Sequence, residues 1–229
     1  MILRQFFEAS SSTYTYLIAS GGEALIIDPV KEQCHGYATL LRELDVRLLH
    51  ALDTHTHADH ITGLGDLSDA TGCVTVMGEH TKADCVLRRI EDGEVLCVGD
   101  ITLQGMYTPG HTDESFSFVL NPSRPRAVFT GDVLLIRGTG RTDFQGGDPR
   151  RSWDSIVNKL FHLPDDTIVY PAHDYRGFTA STIGEEKRFN PRLAGKSEAD
   201  YVAIMNGLNL PEPKMMRTAV PANLACGRS

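Results

Sequence analysis

A mixed α/β fold, two β-sheets packed together with helices outside, is the architecture expected of this chain. Three observations carry that reading. Strand-like segments dominate the first third, and strands mix with helices after it. The 229 residues are 41% hydrophobic and 23% charged, ordinary for a globular protein and enough to bury a sizeable core. No Pro-, Gly- or Ser-rich linker, repeat or low-complexity tract interrupts them. One domain over residues 1–229 is therefore expected, with 211–229 an irregular tail carrying Pro211, Pro213 and Pro221.

The elements follow in order. Thr13–Ser20 and residues 23–28 alternate as strands around Gly21-Gly22, a hairpin pattern. Residues 36–44 suit a short helix, and the apolar run 46–54 a buried strand. Further strands are expected at 73–77, 94–98, 101–107, 115–120, 127–130 and 167–170. Asp148 can cap a helix with Pro149 at its first position. Trp153, Ile156, Val157, Leu160 and Phe161 then form one apolar face, and Pro164 ends it. A second helix follows Ser197, with Asp200 at the capping-box position and Tyr201, Ile204, Met205 and Leu208 as its stripe.

Composition excludes several classes. A net charge of −8 argues against non-specific nucleic-acid binding, though a local basic pocket can still take a small anion. No apolar run reaches the roughly 18 residues that a membrane span needs. The N-terminal segment lacks the features of a signal or transit peptide. The cysteines Cys34, Cys73, Cys85, Cys97 and Cys226 are odd in number and form no C-x-x-C pair. Reduced thiols and a cytoplasmic location are expected.

The chemistry concentrates at strand ends. Thr54-His55-Thr56-His57-Ala58-Asp59-His60 packs three histidines and an acid behind an apolar strand. Asp59 and His60 are expected on the start of a following helix. Imidazole and carboxylate at a rigid strand end suit a divalent transition metal. Gly110-His111-Thr112, Thr130-Gly131-Asp132 and Ala172-His173-Asp174 repeat the form. Read singly, each is an ordinary turn; four together argue for convergence on a metal centre.

H-x-H-x-D-H, G-H-T, T-G-D and A-H-D, in this order between Thr54 and Asp174, resemble the metallo-β-lactamase superfamily. That resemblance implies an αββα sandwich, two mixed β-sheets flanked by helices, with the metal at one edge of the sheets. Finer features resemble the persulfide dioxygenase family: residues 134–145, 168–175, Asn190-Pro191-Arg192, 208–211 and Val220-Pro221-Ala222-Asn223. The likeness covers nearly the whole chain. It implies oxidation of glutathione persulfide by O₂ to sulfite and glutathione on one Fe(2+) per chain, and a homodimer.

Under that resemblance the iron ligands are His55, His111 and Asp132. His57, Asp59, His60 and His173 surround them, orienting ligands and bound water. Tyr175 and Arg192 are associated with glutathione; Arg141 is added because a guanidinium fork suits a carboxylate, the other reading being a structural pair with Asp143. Glyoxalase II, a binuclear hydrolase of S-lactoylglutathione, is the competing family. The short stretch after His173 and the Thr-Asp-Phe-Gln run at 142–145 argue against it. Thr139 stands where some relatives have cysteine. Glu114 is expected to be solvated, Cys226 to be a free thiol, and His35, His50, His80 and His162 to be ordinary.

Overall fold

A computed structural model describes residues 1–228. Among them are two six-stranded mixed sheets, a two-stranded hairpin and six α-helices. The described residues divide into two compact units: 1–90, 95–102 and 212–228 in one, 91–94 and 103–211 in the other.

The first unit holds β1 (Ile2–Glu8), β2 (Thr13–Ser20), β3 (Glu23–Ile27), β4 (Arg47–Leu52), β5 (Val74–Gly78) and β6 (Arg88–Ile90), paired in that order. β1 to β3 run antiparallel; β3 to β6 run parallel. Gly21 and Gly22 close the β2–β3 hairpin at φ +58° and +79°, as two primed-turn residues must. Helices α1 (Cys34–Glu43) and α2 (Leu64–Thr71) follow β3 and β4, the crossovers that parallel pairing demands. Tyr37, Leu41, Leu64 and Leu67 bury their apolar faces with Leu17, Ile26 and Ala51. The short strand β7 (Val95–Val98) is also in this unit.

The second sheet has the order β14-β13-β10-β9-β8-β7, built from β8 (Ile101–Tyr107), β9 (Phe116–Leu120), β10 (Ala127–Gly131), β13 (Ile168–Pro171) and β14 (Ser181–Thr182) besides β7. β11 (Leu134–Leu135) and β12 (Gly138–Thr139) form the hairpin. α3 (Pro149–Trp153) starts as expected, with the Asp148 carboxylate accepting from Arg150 and Arg151 N–H groups. It widens into a π-turn over Asp154–Lys159; Ile156 within it and Leu160 just after it reach the core. α4 (Ile183–Phe189) and α5 (Glu198–Asn206) complete the unit. α5 carries the Ser197–Asp200 capping box and buries Tyr201 and Met205.

Two elements depart from expectation. Asp59 and His60 are not helical: α2 begins at Leu64, because the intervening backbone is held otherwise, with Thr62 bridging Val30. The tail is not irregular: α6 (Met216–Leu224) forms with Pro221 inside it. An internal proline costs about 3 kcal/mol of helix stability. Tertiary anchors offset that here. Cys226 is bonded to Cys85, so these two are not the reduced thiols expected, and Gly65 N–H donates to the Cys226 carbonyl at 2.9 Å.

Candidate metal centre

In the first unit, parallel β3 and β4 end side by side, Ile27 opposite Leu52. The residues that follow each strand therefore meet. Asp28, buried and at φ +51°, accepts the Thr54 N–H at 2.7 Å and the Thr54 hydroxyl at 3.1 Å. That hydroxyl has spent its one hydrogen, so at 3.0 Å it accepts from His55 Nδ1. His55 Nε2 keeps its lone pair for a metal. Such a carboxylate–hydroxyl–imidazole chain fixes the tautomer and raises the basicity of a ligand. His57 Nε2 shares a hydrogen bond with Asp28 at 3.2 Å. Burial pushes the Asp28 carboxyl up, against the opposing effects of His55 and the Thr54 bonds.

His57, Asp59 and His60 form one cluster whose ligand atoms lie within 4.8 Å of one another; Asp28, Asp53 and His57 form another. Asp59 faces His60 Nδ1 at 3.0 Å and accepts from the Thr13 hydroxyl at 3.1 Å. Asp28 escaped the sequence reading. Its signal was present: Ile26-Ile27-Asp28 is another apolar strand delivering an acid at its carboxyl end.

In the second unit, β8, β10 and β13 run in one direction, since β9 is antiparallel to β8 and β10 while β13 is parallel to β10. Their carboxyl ends share one edge. His111, Asp132 and His173 follow these three strands and so meet there. His111 Nε2 lies 3.5 Å from Asp132 Oδ2, and His173 Nε2 lies 3.6 Å from Asp132 Oδ1. His111 Nδ1 lies 2.7 Å from the Arg141 carbonyl. A carbonyl only accepts, so Nδ1 carries the proton and Nε2 the lone pair.

Small residues permit this approach. A Cβ on Gly140 would fall 2.1 Å from the Asp132 carbonyl oxygen and 2.8 Å from His111 Nδ1. Gly110, at φ +145°, packs its backbone directly on Ser152. The side chains of His111 and Asp132 are 13% and 14% exposed, so this edge is not sealed from solvent.

Tyr175 stacks on His173 with ring centroids 5.9 Å apart and lies largely exposed. Arg192 is half-buried, and burial pushes its pKa down. It donates to the Thr139 carbonyl at 2.6 Å and hydroxyl at 3.1 Å, and pairs with no carboxylate among the described residues. Arg141 makes the structural pairing with Asp143 that was its other reading. Its fork holds Asp143 at 2.6 and 2.7 Å, and it also donates to the Leu210 and Pro211 carbonyls. With those donors engaged it braces the loop. Glu114 is buried at 6% exposure, not solvated. Its neighbour Ser115 bonds to Thr112 and draws the turn inward.

Comparison with known proteins places this geometry. The metallo-β-lactamase superfamily matches residues 11–173. The chain is 48% identical over 230 residues to the mitochondrial persulfide dioxygenase ETHE1 of Homo sapiens, covering 99% of this chain and 89% of the human protein. The crystal structure of ETHE1 from Myxococcus xanthus superposes with a TM-score of 0.96 at 49% identity, covering all of both chains. The structure of TTHA1623 in a di-iron-bound form matches with a TM-score of 0.69 at 25% identity, over 83% of this chain and all of that one. Near-full-length likeness to the dioxygenases decides between the two families weighed above. The chain belongs to the persulfide dioxygenase family of the metallo-β-lactamase superfamily.

Proposed function

We propose that this protein oxidises glutathione persulfide with O₂, giving sulfite and glutathione, at a single ferrous iron held by His55, His111 and Asp132. The observation that carries the reading is the donor set. His55 and His111 each commit Nδ1 to a hydrogen bond, to Thr54 and to the Arg141 carbonyl, so each offers Nε2; the Asp132 carboxylate faces the second of these. Two imidazoles and one carboxylate fit ferrous iron and leave positions open for two further ligands. When bound, iron supplies a template on which persulfide sulfur and O₂ meet, and a route for electrons between them.

The balance is one persulfide, one O₂ and one water to one thiol, one sulfite and two protons. The two persulfide sulfurs together lose four electrons, and O₂ gains four. The chain's own residues provide the rest. His57 and His173 flank the ligands and orient them and bound water. Arg192, which pairs with no carboxylate among the described residues, receives a glutathione carboxylate, and Tyr175, stacked on His173, offers its hydroxyl beside the metal. A homodimer is part of the same proposal, tested by sedimentation.

The experiment is oxygen uptake with glutathione persulfide, sulfite being measured in parallel on protein of known iron content. Stoichiometric O₂ loss and sulfite are expected. Hydrolysis of S-lactoylglutathione as the main activity, with two zinc ions per chain, would overturn the reading.

A further inference from the structure

The tail helix α6 reaches back to the histidine loop through one side chain. Asn223, buried at 3% exposure, donates to the His57 and His60 carbonyls at 2.9 Å each, and its oxygen accepts the Thr62 N–H at 2.9 Å. Carbonyls only accept and an N–H only donates, so the amide has one orientation here and both its hydrogens are used. The three partners are 161 to 166 residues away in sequence.

Asn223 is itself held firmly. Three residues on, Cys226 is bonded to Cys85. Lys31 reaches the Gly227 carbonyl, and Arg228 pairs with Asp69 at 2.5 Å. Asn223 thus links a fixed anchor to the loop that carries His55, whose other end is held by Asp28 through Thr54.

We propose that Asn223 is a positioning residue for the metal: it holds residues 57–62 so that His55 is presented in its ligating geometry before metal arrives. Leaving a ligand loop unbraced typically costs 10- to 100-fold in metal affinity. The inference rests on His55 being a ligand. No catalytic step is assigned to Asn223.

The test is cobalt(II) binding to metal-free full-length protein, followed by its visible spectrum well below the melting temperature. Asn223→Ala should bind about 10- to 100-fold more weakly, with faster amide exchange across residues 57–62. Asn223→Asp is the second variant, should alanine not fold. It keeps the acceptor for Thr62 and loses both donors, and should weaken binding similarly. Arg217→Ala, on the same helix, removes only an exposed ion pair with Glu212 and should leave cobalt affinity unchanged. Wild-type affinity in both Asn223 variants, with affinity lost in His55→Ala, overturns the positioning role alone. Wild-type affinity in His55→Ala overturns the ligand assignment and this inference with it.

Discussion

His111 gives its Nδ1 hydrogen to the carbonyl of Arg141 at 2.7 Å. One backbone bond thereby sets which nitrogen of this imidazole is basic, and the basic one faces Asp132. Loop 138–145 is in turn braced by the Arg141 side chain on Asp143 and on the Leu210 and Pro211 carbonyls. The tautomer of this imidazole is therefore set by backbone well outside its own motif.

The first prediction concerns that arrangement. Gly140→Ala forces a Cβ against the Asp132 carbonyl, so the loop must move and the His111 bond must lengthen. Iron content should fall as it does in His111→Ala and Asp132→Ala, by elemental analysis of protein purified anaerobically with iron. Full iron occupancy in Gly140→Ala would show that the loop yields without disturbing the ligand.

The second concerns Arg192. Losing one charge-assisted contact costs roughly 1.5–3 kcal/mol, about 10- to 150-fold in binding. With iron matched to wild type, Arg192→Ala should raise KM for glutathione persulfide by that factor and leave kcat nearly unchanged. Arg141→Ala should instead lower thermal stability, since its donors already have protein partners. An unchanged KM in Arg192→Ala would place the carboxylate contact elsewhere.

The third concerns the bond between Cys85 and Cys226, which closes a loop of 141 residues in sequence separation. Removing a native disulfide costs about 2–5 kcal/mol. Cys85→Ser should melt earlier than wild type in non-reducing buffer, and the two should melt alike in reductant. Coincident melting curves in both buffers would deny the bond a stabilising role.

The fourth concerns acid. Burial acts to raise the Glu8 carboxyl, but hydrogen bonds from Ser10 and Ser11 overcome it and hold the pKa down to about 2. The carboxylate form is favoured by folding, so its contribution is present above pH 4.5 and is lost as pH falls through 2. The site is largely solvent-screened, so the stabilisation is about 1 kcal/mol at most. Glu8→Gln should be less stable than wild type at neutral pH, with the difference shrinking toward pH 2. An NMR titration placing Glu8 near 4.5 would contradict this.

Local patterns were legible because their causes are local. The Gly21-Gly22 hairpin, the Asp148 cap and the Ser197–Asp200 box each depend on residues within a few positions. So does the delivery of His55, His111, Asp132 and His173, each placed by the strand immediately before it. What a segment does after the chain returns to it has no such signature. Asn223 meets His57 across 166 residues and Cys226 meets Cys85 across 141. Those contacts let α6 form around Pro221, a residue that read alone argues for an irregular tail. Asp28 and the Arg141 carbonyl are of the same kind. Whether a carboxylate or a carbonyl sets a histidine's tautomer is decided by which strands lie side by side, and strand adjacency belongs to the folded sheet.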